Sequence, residues 1–214
     1  ETGNCLGIGS AIANLDYKNS PRKGWTSNLS IRVGQKKIKK NNSITSLSSM
    51  TNPEVSFESL YDSLESDVVQ FRFDYELAKY ISPRPRSTIK VGIGGGWLEG
   101  QELFENELYR SGGPKMLRGF DEESILSTMH HILTLEYRYH LSENSFFYLF
   151  TDGAYVEHKS RNVSNEDFPI GFGSGIALET KAGIFGINYA LGKQKDRPIE
   201  FKNAKIHFGY LSLF

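Results

Sequence analysis

The sequence predicts an all-β protein, namely a transmembrane antiparallel β-barrel with about nine strands in this chain. The predicted strands alternate apolar and polar residues with a period of two, which is the pattern of strands that differ between their two faces. Several of them run for about ten residues, the length that a tilted strand needs to cross a bilayer. Short and long connections also alternate along the chain, as expected for an up-and-down membrane barrel.

The first three predicted strands show the alternation directly. In the first, Leu6, Ile8 and Ile12 share one face and small residues occupy the other. The second sets apolar residues from Trp25 to Val33 against Thr, Asn, Ser and Arg, and the third (69–77) interleaves apolar and aromatic residues with Gln, Arg, Asp and Glu. Each of them therefore has one apolar and one polar or small-residue face.

The remaining predicted strands cover residues 89–97, 133–139, 146–155, 170–178, 185–191 and 206–214. Apolar side chains again alternate with small, polar or charged ones in most of them. The glycine run at 92–96 has no following helix, so it is not a phosphate-binding loop. We interpret these glycines as room for a loop inserted against the strand.

The residues on the polar faces distinguish the prediction of a membrane barrel from its main alternative, a soluble β-sandwich binding module. Many of these faces carry charged residues, which a dry sandwich core accepts only when they are paired. The water-filled lumen of a barrel accepts them. Strands in soluble sandwiches are also shorter, at about five or six residues. Both observations favour the barrel, although composition alone fits either fold.

The connections predict an orientation and raise a question of strand number. Two long loops, at about 35–67 and 99–126, would lie outside the cell, and the short turns would face the periplasm. The first predicted strand then runs inward from the outside, and the number of strands is odd. Complete bacterial single-chain barrels have an even number. We therefore expect at least one further strand, upstream or on another chain; a miscounted strand is the alternative.

Composition and residue clusters indicate no catalytic chemistry. The chain of 214 residues has 25 basic and 25 acidic side chains, and this balance gives no reason to expect a nucleic-acid partner. Cys5 is the single cysteine, so no internal disulfide can form. His130 and His131 are adjacent in a strand and point to opposite faces, which rules out a two-histidine metal site there. We expect no enzyme activity and no catalytic, metal or cofactor site.

Several motifs occur in an order that resembles one family. A glycine-rich strand leads into a turn with Asp16 and Pro21, and Arg118-Gly119 lies in a long loop before a Glu-aromatic-Arg-aromatic strand at Glu136–Tyr139. Phe-Thr-Asp-Gly at 150–153, two glycine-alternating strands and an aromatic final strand follow. Across nearly its whole length, the chain resembles the C-terminal part of the BamA/TamA outer-membrane barrel superfamily, which includes two-partner-secretion transporters.

This resemblance implies roles for individual residues. Leu117-Arg118-Gly119-Phe120 would belong to a loop inserted in the lumen, where Arg118 pairs with Glu136 and Asp152. A planar guanidinium can hold two carboxylates through charge-assisted hydrogen bonds, and Gly119 allows an unusual backbone angle or a close approach to the wall. The alternative is an exposed loop arginine near ordinary lumen carboxylates. Compared with the family motif, 150–153 has one residue fewer before its glycine, which puts the facing of Asp152 in doubt.

The resemblance also implies a location, partners and a function. Phe208, Tyr210 and Phe214 match the family's C-terminal strand signal, which its assembly machinery reads. We expect a barrel domain over residues 1–214 in the bacterial outer membrane, within a barrel of up to about 16 strands. Its partners would be outer-membrane lipid, client polypeptides, and an upstream part or another chain that completes the barrel. The function would be protein insertion or translocation; the alternative is a barrel anchor that displays or exports an upstream passenger domain.

Overall fold

The computed structural model describes residues 2–37, 67–101, 103–160, 163–195 and 197–212, which form an all-β fold. The strands are β1 (Thr2–Leu15), β2 (Gly24–Lys37), β3 (Asp67–Arg84), β4 (Ser87–Gly100), β5 (Tyr109–Ser111), β6 (Ile125–Ser127), β7 (Met129–His140), β8 (Phe146–Ser160), β9 (Val163–Asp167), β10 (Ile170–Thr180), β11 (Gly183–Lys193) and β12 (Lys205–Leu211). A short 3-10 helix at Phe201–Asn203 precedes β12. No helix in these ranges is long and apolar enough to cross a bilayer.

One antiparallel sheet dominates the structure. Its strands follow the order β1-β2-β3-β4-β7-β8-β10-β11-β12, with β9 paired to β8, and β5 and β6 form a separate two-stranded sheet. The strands that follow one another in this order are joined by antiparallel ladders. Within the described ranges, β1 and β12 are the two edges and do not pair with each other. One continuous sheet thus takes the place of the two stacked sheets of a sandwich.

The two faces of this sheet differ in chemistry. We call the face that carries the connection between β4 and β7 the inner face, and the opposite one the outer face. Large apolar side chains are exposed on the outer face, as for Leu6 (82%), Leu149 (61%) and Phe208 (75%). Such an extended apolar surface is unusual for a soluble monomer and suits contact with lipid. The inner face carries charged residues such as Glu136 and Asp152.

The all-β prediction is confirmed, and each predicted strand has its counterpart in the main sheet. Several boundaries were wrong. Strand β2 continues to Lys37 and β4 to Gly100, so both long loops begin later than predicted. The stretch between the predicted strands 146–155 and 170–178 instead holds the continuation of β8 to Ser160 and the strand β9, which pairs with it. The sequence of β9 is mostly polar, and a strand without an apolar face shows no period of two.

A buried apolar cluster lies between the sheet and the connection that crosses it. Its members are Leu117, Phe120, Ile125, Ile132, Ala154 and Val156. The first three belong to the β4–β7 connection, whereas Ile132 is on β7 and the last two are on β8. This connection is therefore packed against the inner face by apolar contacts as well as by charge.

A turn at one end of the sheet shows that the sheet is strongly curved. Arg22, in the turn between β1 and β2, donates from Nη2 to the carbonyl oxygen of Ser142 at 3.2 Å. Ser142 lies between β7 and β8, four places away in the strand order. Neighbouring strands are about 4.8 Å apart, so a flat sheet would separate these turns by roughly 19 Å. The conformation of the β1–β2 turn and the curvature of the sheet together bring Arg22 within hydrogen-bond distance of Ser142.

A single carboxylate organises the same turn. Asp16 Oδ1 accepts hydrogen bonds from the backbone N–H groups of Tyr17 (2.9 Å), Arg22 (2.9 Å) and Lys23 (3.0 Å). Burial alone would raise the pKa of Asp16, but these backbone bonds outweigh it and lower the pKa below the usual carboxylate value. Because the folded pKa is depressed, the turn is stabilised above the ordinary pKa of about 3.9 and loses this stabilisation as pH falls through the lowered value.

We expect Asp16→Ala to open this turn, because three backbone N–H groups lose their acceptor. Hydrogen exchange at the amides of Arg22 and Lys23 should become several-fold faster than in wild-type protein at neutral pH. In wild-type protein, the protection factors of these amides should fall as the pH drops through the lowered pKa of Asp16. Lys18→Ala, a change in the same turn that leaves Asp16 in place, is the control. Unchanged exchange in Asp16→Ala would show that the carboxylate does not hold the turn.

Candidate functional site

The candidate site lies where the β4–β7 connection meets the sheet. We call residues 103–128 the inner loop; it includes β5 and β6, which pair with Tyr109 opposite Ser127 and Ser111 opposite Ile125. This pairing closes the neck of the loop and directs its middle part over the inner face. Gly112, Gly113 and Gly119 have positive φ angles, at which other residues would be strained. The loop thus reverses direction at glycines and reaches the wall at Arg118.

Arg118 makes four hydrogen bonds with two carboxylates of the wall. Its Nε and Nη2 atoms donate to Asp152 Oδ2 and Oδ1, each at 2.7 Å, in a bidentate arrangement. Its backbone N–H donates to the same carboxylate at 3.1 Å, and Nη1 donates to Glu136 Oε2. All three residues are buried. Charge-assisted hydrogen bonds of this geometry are stronger and more directional than neutral ones.

The sheet register explains why the two carboxylates are close together. Glu136 lies opposite Phe150 in the β7–β8 ladder, and Asp152 lies opposite Thr134. Alternate residues of a strand share a face, so both carboxylates point inward as diagonal neighbours on adjacent strands. Asp152 is 1% exposed, so its side chain faces inward. The shortened motif at 150–153 had left this direction in doubt.

A second arginine binds the other oxygen of the Glu136 carboxylate. Arg138 Nε donates to Glu136 Oε1 at 2.7 Å, so that Glu136 lies between two guanidinium groups. The paired groups of the buried cluster are therefore two guanidinium groups and two carboxylates, and Lys90, opposite Glu136 in the β4–β7 ladder, adds a further positive charge nearby. A buried carboxylate without a partner would carry a large desolvation penalty. Both carboxylates are occupied by arginine, so neither is available as a general acid or base.

An aromatic ring supports the guanidinium from the wall. The Arg118 Cζ atom lies 3.6 Å from the centre of the Phe150 ring, within the range of a cation–π contact. The ring can lie against β10 because Gly173 has no side chain; a Cβ there would be 2.9 Å from Phe150 Cζ. Gly175 likewise leaves room for Tyr148. These two glycines let the β8 rings form a platform for Arg118.

Three glycines form a seat for the loop backbone. Gly119 has φ +95°, and a Cβ on it would be 2.6 Å from the Leu191 carbonyl oxygen. A Cβ on Gly192 would be 2.5 Å from the Gly119 carbonyl oxygen, and one on Gly171 would overlap the Arg118 carbonyl oxygen. Gly119 therefore provides both the unusual backbone angle and the close approach to the wall. Any larger residue in this seat would push the loop away from β10 and β11.

The pattern of the Omp85 superfamily domain matches residues 3–210 of the chain. The chain belongs to the Omp85 superfamily. Comparison with curated proteins found no match. This superfamily contains outer-membrane barrels that insert or translocate proteins, and it is characteristic of bacterial outer membranes. The curved antiparallel sheet fits a barrel of this kind.

The structure of this Omp85 domain brings together five of the residues singled out in the sequence: Arg118, Gly119, Phe120, Glu136 and Asp152. Phe208 and Tyr210 lie apart from them, with 75% and 54% of their surfaces exposed on the outer side of β12. Phe214 lies outside the described residues. Within the described ranges, no group of three potential metal ligands is present.

Sequence reasoning missed several members of the site. It also predicted that all the glycines at 92–96 on β4 make room for the inner loop, which is true of only part of them. It missed the role of Phe150 and the seat at Gly171 and Gly192. A signal was available, because glycine recurs at every second position from 171 to 175, on one face of β10. On β4, Gly96 does adjoin the inner loop. The nearest neighbours of Gly92 and Gly94 are strand residues at ordinary distances, so these two do not make room for the loop.

We expect Gly171→Ala to displace the loop, because the new methyl group would overlap the Arg118 carbonyl oxygen. Hydrogen exchange at residues 117–120 should become at least tenfold faster while the strands stay protected. Gly153→Ala, at a β8 glycine with no heavy atom within 4 Å of the added Cβ, is the matched control and should behave as wild type. Equal exchange in the two variants would show that the seat does not position the loop.

Proposed function

We propose that this Omp85 domain acts in outer-membrane protein insertion or polypeptide translocation in the manner of BamA/TamA barrels, with the Arg118 loop bound in its lumen. The observation that carries the proposal is the buried contact of Arg118 with Asp152 and Glu136 in a chain of this superfamily. The same contact fixes the loop to the wall of the lumen, since a loop that merely rested on the wall would not bury two ion pairs.

The proposed orientation follows from the connections. The end of the sheet with the short turns, including the Asp16 turn, faces the periplasm, and the inner loop enters from outside. The outer face, with Leu149 and Phe208, contacts lipid, while the inner face with its buried ion pairs borders the lumen. This arrangement keeps charged residues away from hydrocarbon, where each would be costly.

The proposed action uses the sheet edges and no covalent chemistry. An unpaired strand edge in lipid leaves backbone N–H and C=O groups without partners, each at a cost of several kcal/mol. A client strand can satisfy such groups by adding to the edge, as in β-strand addition. The inner loop would hold the curved wall in place while an edge exchanges partners.

Completion of the barrel requires further strands in this proposal. Among the described residues, β1 and β12 occupy the first and ninth places of an antiparallel order, so they run in the same direction. Antiparallel closure therefore takes an odd number of additional strands, from an upstream part of the same protein or from another chain. The exposed row of Phe208 and Tyr210, continued in sequence by Phe214, is proposed as the signal that the assembly machinery reads.

We expect Arg118→Ala to lower the insertion activity of the full-length protein at least several-fold while the barrel still assembles. Removal of the guanidinium leaves Asp152 buried without its partner, and loss of one member of a buried pair typically costs about 3–5 kcal/mol. The measurement is folding of a client barrel in proteoliposomes, followed by its shifted gel migration before and after heating. Protease sensitivity of the loop should rise in parallel.

Arg110→Ala is the control for Arg118→Ala, because Arg110 is an exposed arginine of the same loop. Its activity and loop protection should match those of wild type. Full activity of Arg118→Ala together with unchanged protease sensitivity would contradict the proposed role of the loop. A domain that stays soluble without detergent would contradict the membrane assignment itself.

A further inference from the structure

The inner loop has a second set of contacts, on a different part of the sheet from those of Arg118. Tyr109 lies nine positions before Arg118 in the sequence, and its hydroxyl donates to Asp74 Oδ1 at 2.7 Å. The Phe73 carbonyl oxygen, at 3.2 Å, is an alternative acceptor for the same proton. These contacts are with β3, whereas the contacts of the Arg118 side chain are with β7 and β8. The loop therefore spans the inner face between two separate places.

The wall is built to receive the Tyr109 ring. Gly96 of β4 leaves the space that the ring occupies, since a Cβ there would overlap Tyr109 Cζ. His130, opposite Gly96 in the β4–β7 ladder, meets the ring edge-on at 4.8 Å between ring centres. The Arg72 guanidinium lies 4.2 Å from the ring centre on the β3 side. Three strands thus contribute to one pocket for one side chain.

The acceptor of the hydroxyl is itself held in place. Asp74 Oδ2 is paired with Arg32 and accepts a hydrogen bond from the Ser30 hydroxyl at 3.3 Å, both on β2. Oδ1 is left to accept from Tyr109. Burial and the hydrogen bond to Asp74 raise the pKa of Tyr109 to about 12, so the hydroxyl remains a donor at neutral pH. The contact is a charge-assisted hydrogen bond with a fixed partner.

A neighbouring residue extends these contacts towards the β4 end of the loop. Glu107 pairs with Lys36 of β2 at 2.8 Å and accepts from Gln70 Nε2 at 2.9 Å. It also accepts from the backbone N–H of Phe104 at 2.9 Å. Glu107 and Tyr109 therefore fasten the first part of the loop to β2 and β3, before the chain reaches Arg118.

We propose that Tyr109, in the pocket formed by Gly96, His130 and Asp74, is a positioning residue that anchors the first half of the inner loop independently of Arg118. Tyr109 also lines an open cavity of about 910 Å³ between the loop and strands β1–β4 and β7, so the loop is not packed closely against the wall on this side. The two anchors together keep the loop extended across the inner face.

The test is hydrogen exchange of the full-length protein in detergent, read separately at residues 103–111 and 117–120. Tyr109→Phe keeps the ring and removes the hydroxyl; it should speed exchange at 103–111 about tenfold, as expected for loss of a hydrogen bond to a charged group. Residues 117–120 should remain as in wild type. Arg118→Ala should show the reverse pattern, with faster exchange at 117–120 only.

Two glycine variants provide a matched pair. Gly96→Ala fills the pocket and should reproduce the effect of Tyr109→Phe. Gly94→Ala is on the same face of the same strand, and its added Cβ would have no heavy atom closer than 3.5 Å, so it should behave as wild type. Unchanged exchange at 103–111 in both Tyr109→Phe and Gly96→Ala would overturn the anchor. Equal loosening of both halves of the loop would overturn its independence.

The test of the Tyr109 anchor does not depend on the proposed function, because hydrogen exchange is measured on the loop itself. Only the consequence of the anchor for protein insertion or translocation rests on the proposed function. If the anchor exists and the domain has no insertion activity, the exchange pattern will appear and the proteoliposome assay will fail for every variant. If the domain inserts proteins and the anchor is wrong, wild-type activity will be normal and the exchange pattern will be absent.

Discussion

The contact on which the rest of the site depends is the Arg118 guanidinium held between Asp152 and Glu136. None of these three charges could be buried alone, because each would lose its hydration without compensation. Together with Arg138 they form a cluster in which each carboxylate is paired with an arginine, so the polar wall and the inserted loop require one another. The loop covers carboxylates that the strands place on the inner face, and those carboxylates are the reason that the loop stays there.

Backbone geometry decides whether these charges can meet. The guanidinium reaches Asp152 only because the loop backbone lies directly on β10 and β11, at positions where Gly119, Gly171 and Gly192 have no side chains. Phe150 then fills the space beneath the guanidinium, lying over another glycine of β10. The opposite charges provide the attraction, and the glycines let the backbones come close enough for the charged groups to meet. Tyr109 and Gly96 repeat this combination at the other side of the loop.

The sequence predicted the strands better than the contacts between them. A period of two reports which residues share a face, and it identified the strands of the main sheet because their outer faces are apolar. It missed β9, whose sequence is mostly polar, since a strand without an apolar face has no such period. The partners of Arg118 came from family resemblance. Contacts such as Tyr109 with Asp74, or Gly171 with the loop, depend on register and curvature, which periodicity does not report.

The position of the inner loop is tested most directly by a distance between two spin labels on the full-length protein. Cys5 is the single cysteine, so a Cys5→Ser background accepts labels at Lys115 in the loop and at Leu149 on the outer face of β8. A loop bound through Arg118 predicts one narrow distance distribution, which broadens when Arg118 is replaced by alanine. A broad distribution in the protein with Arg118, or a narrow one that the replacement leaves unchanged, would contradict this binding.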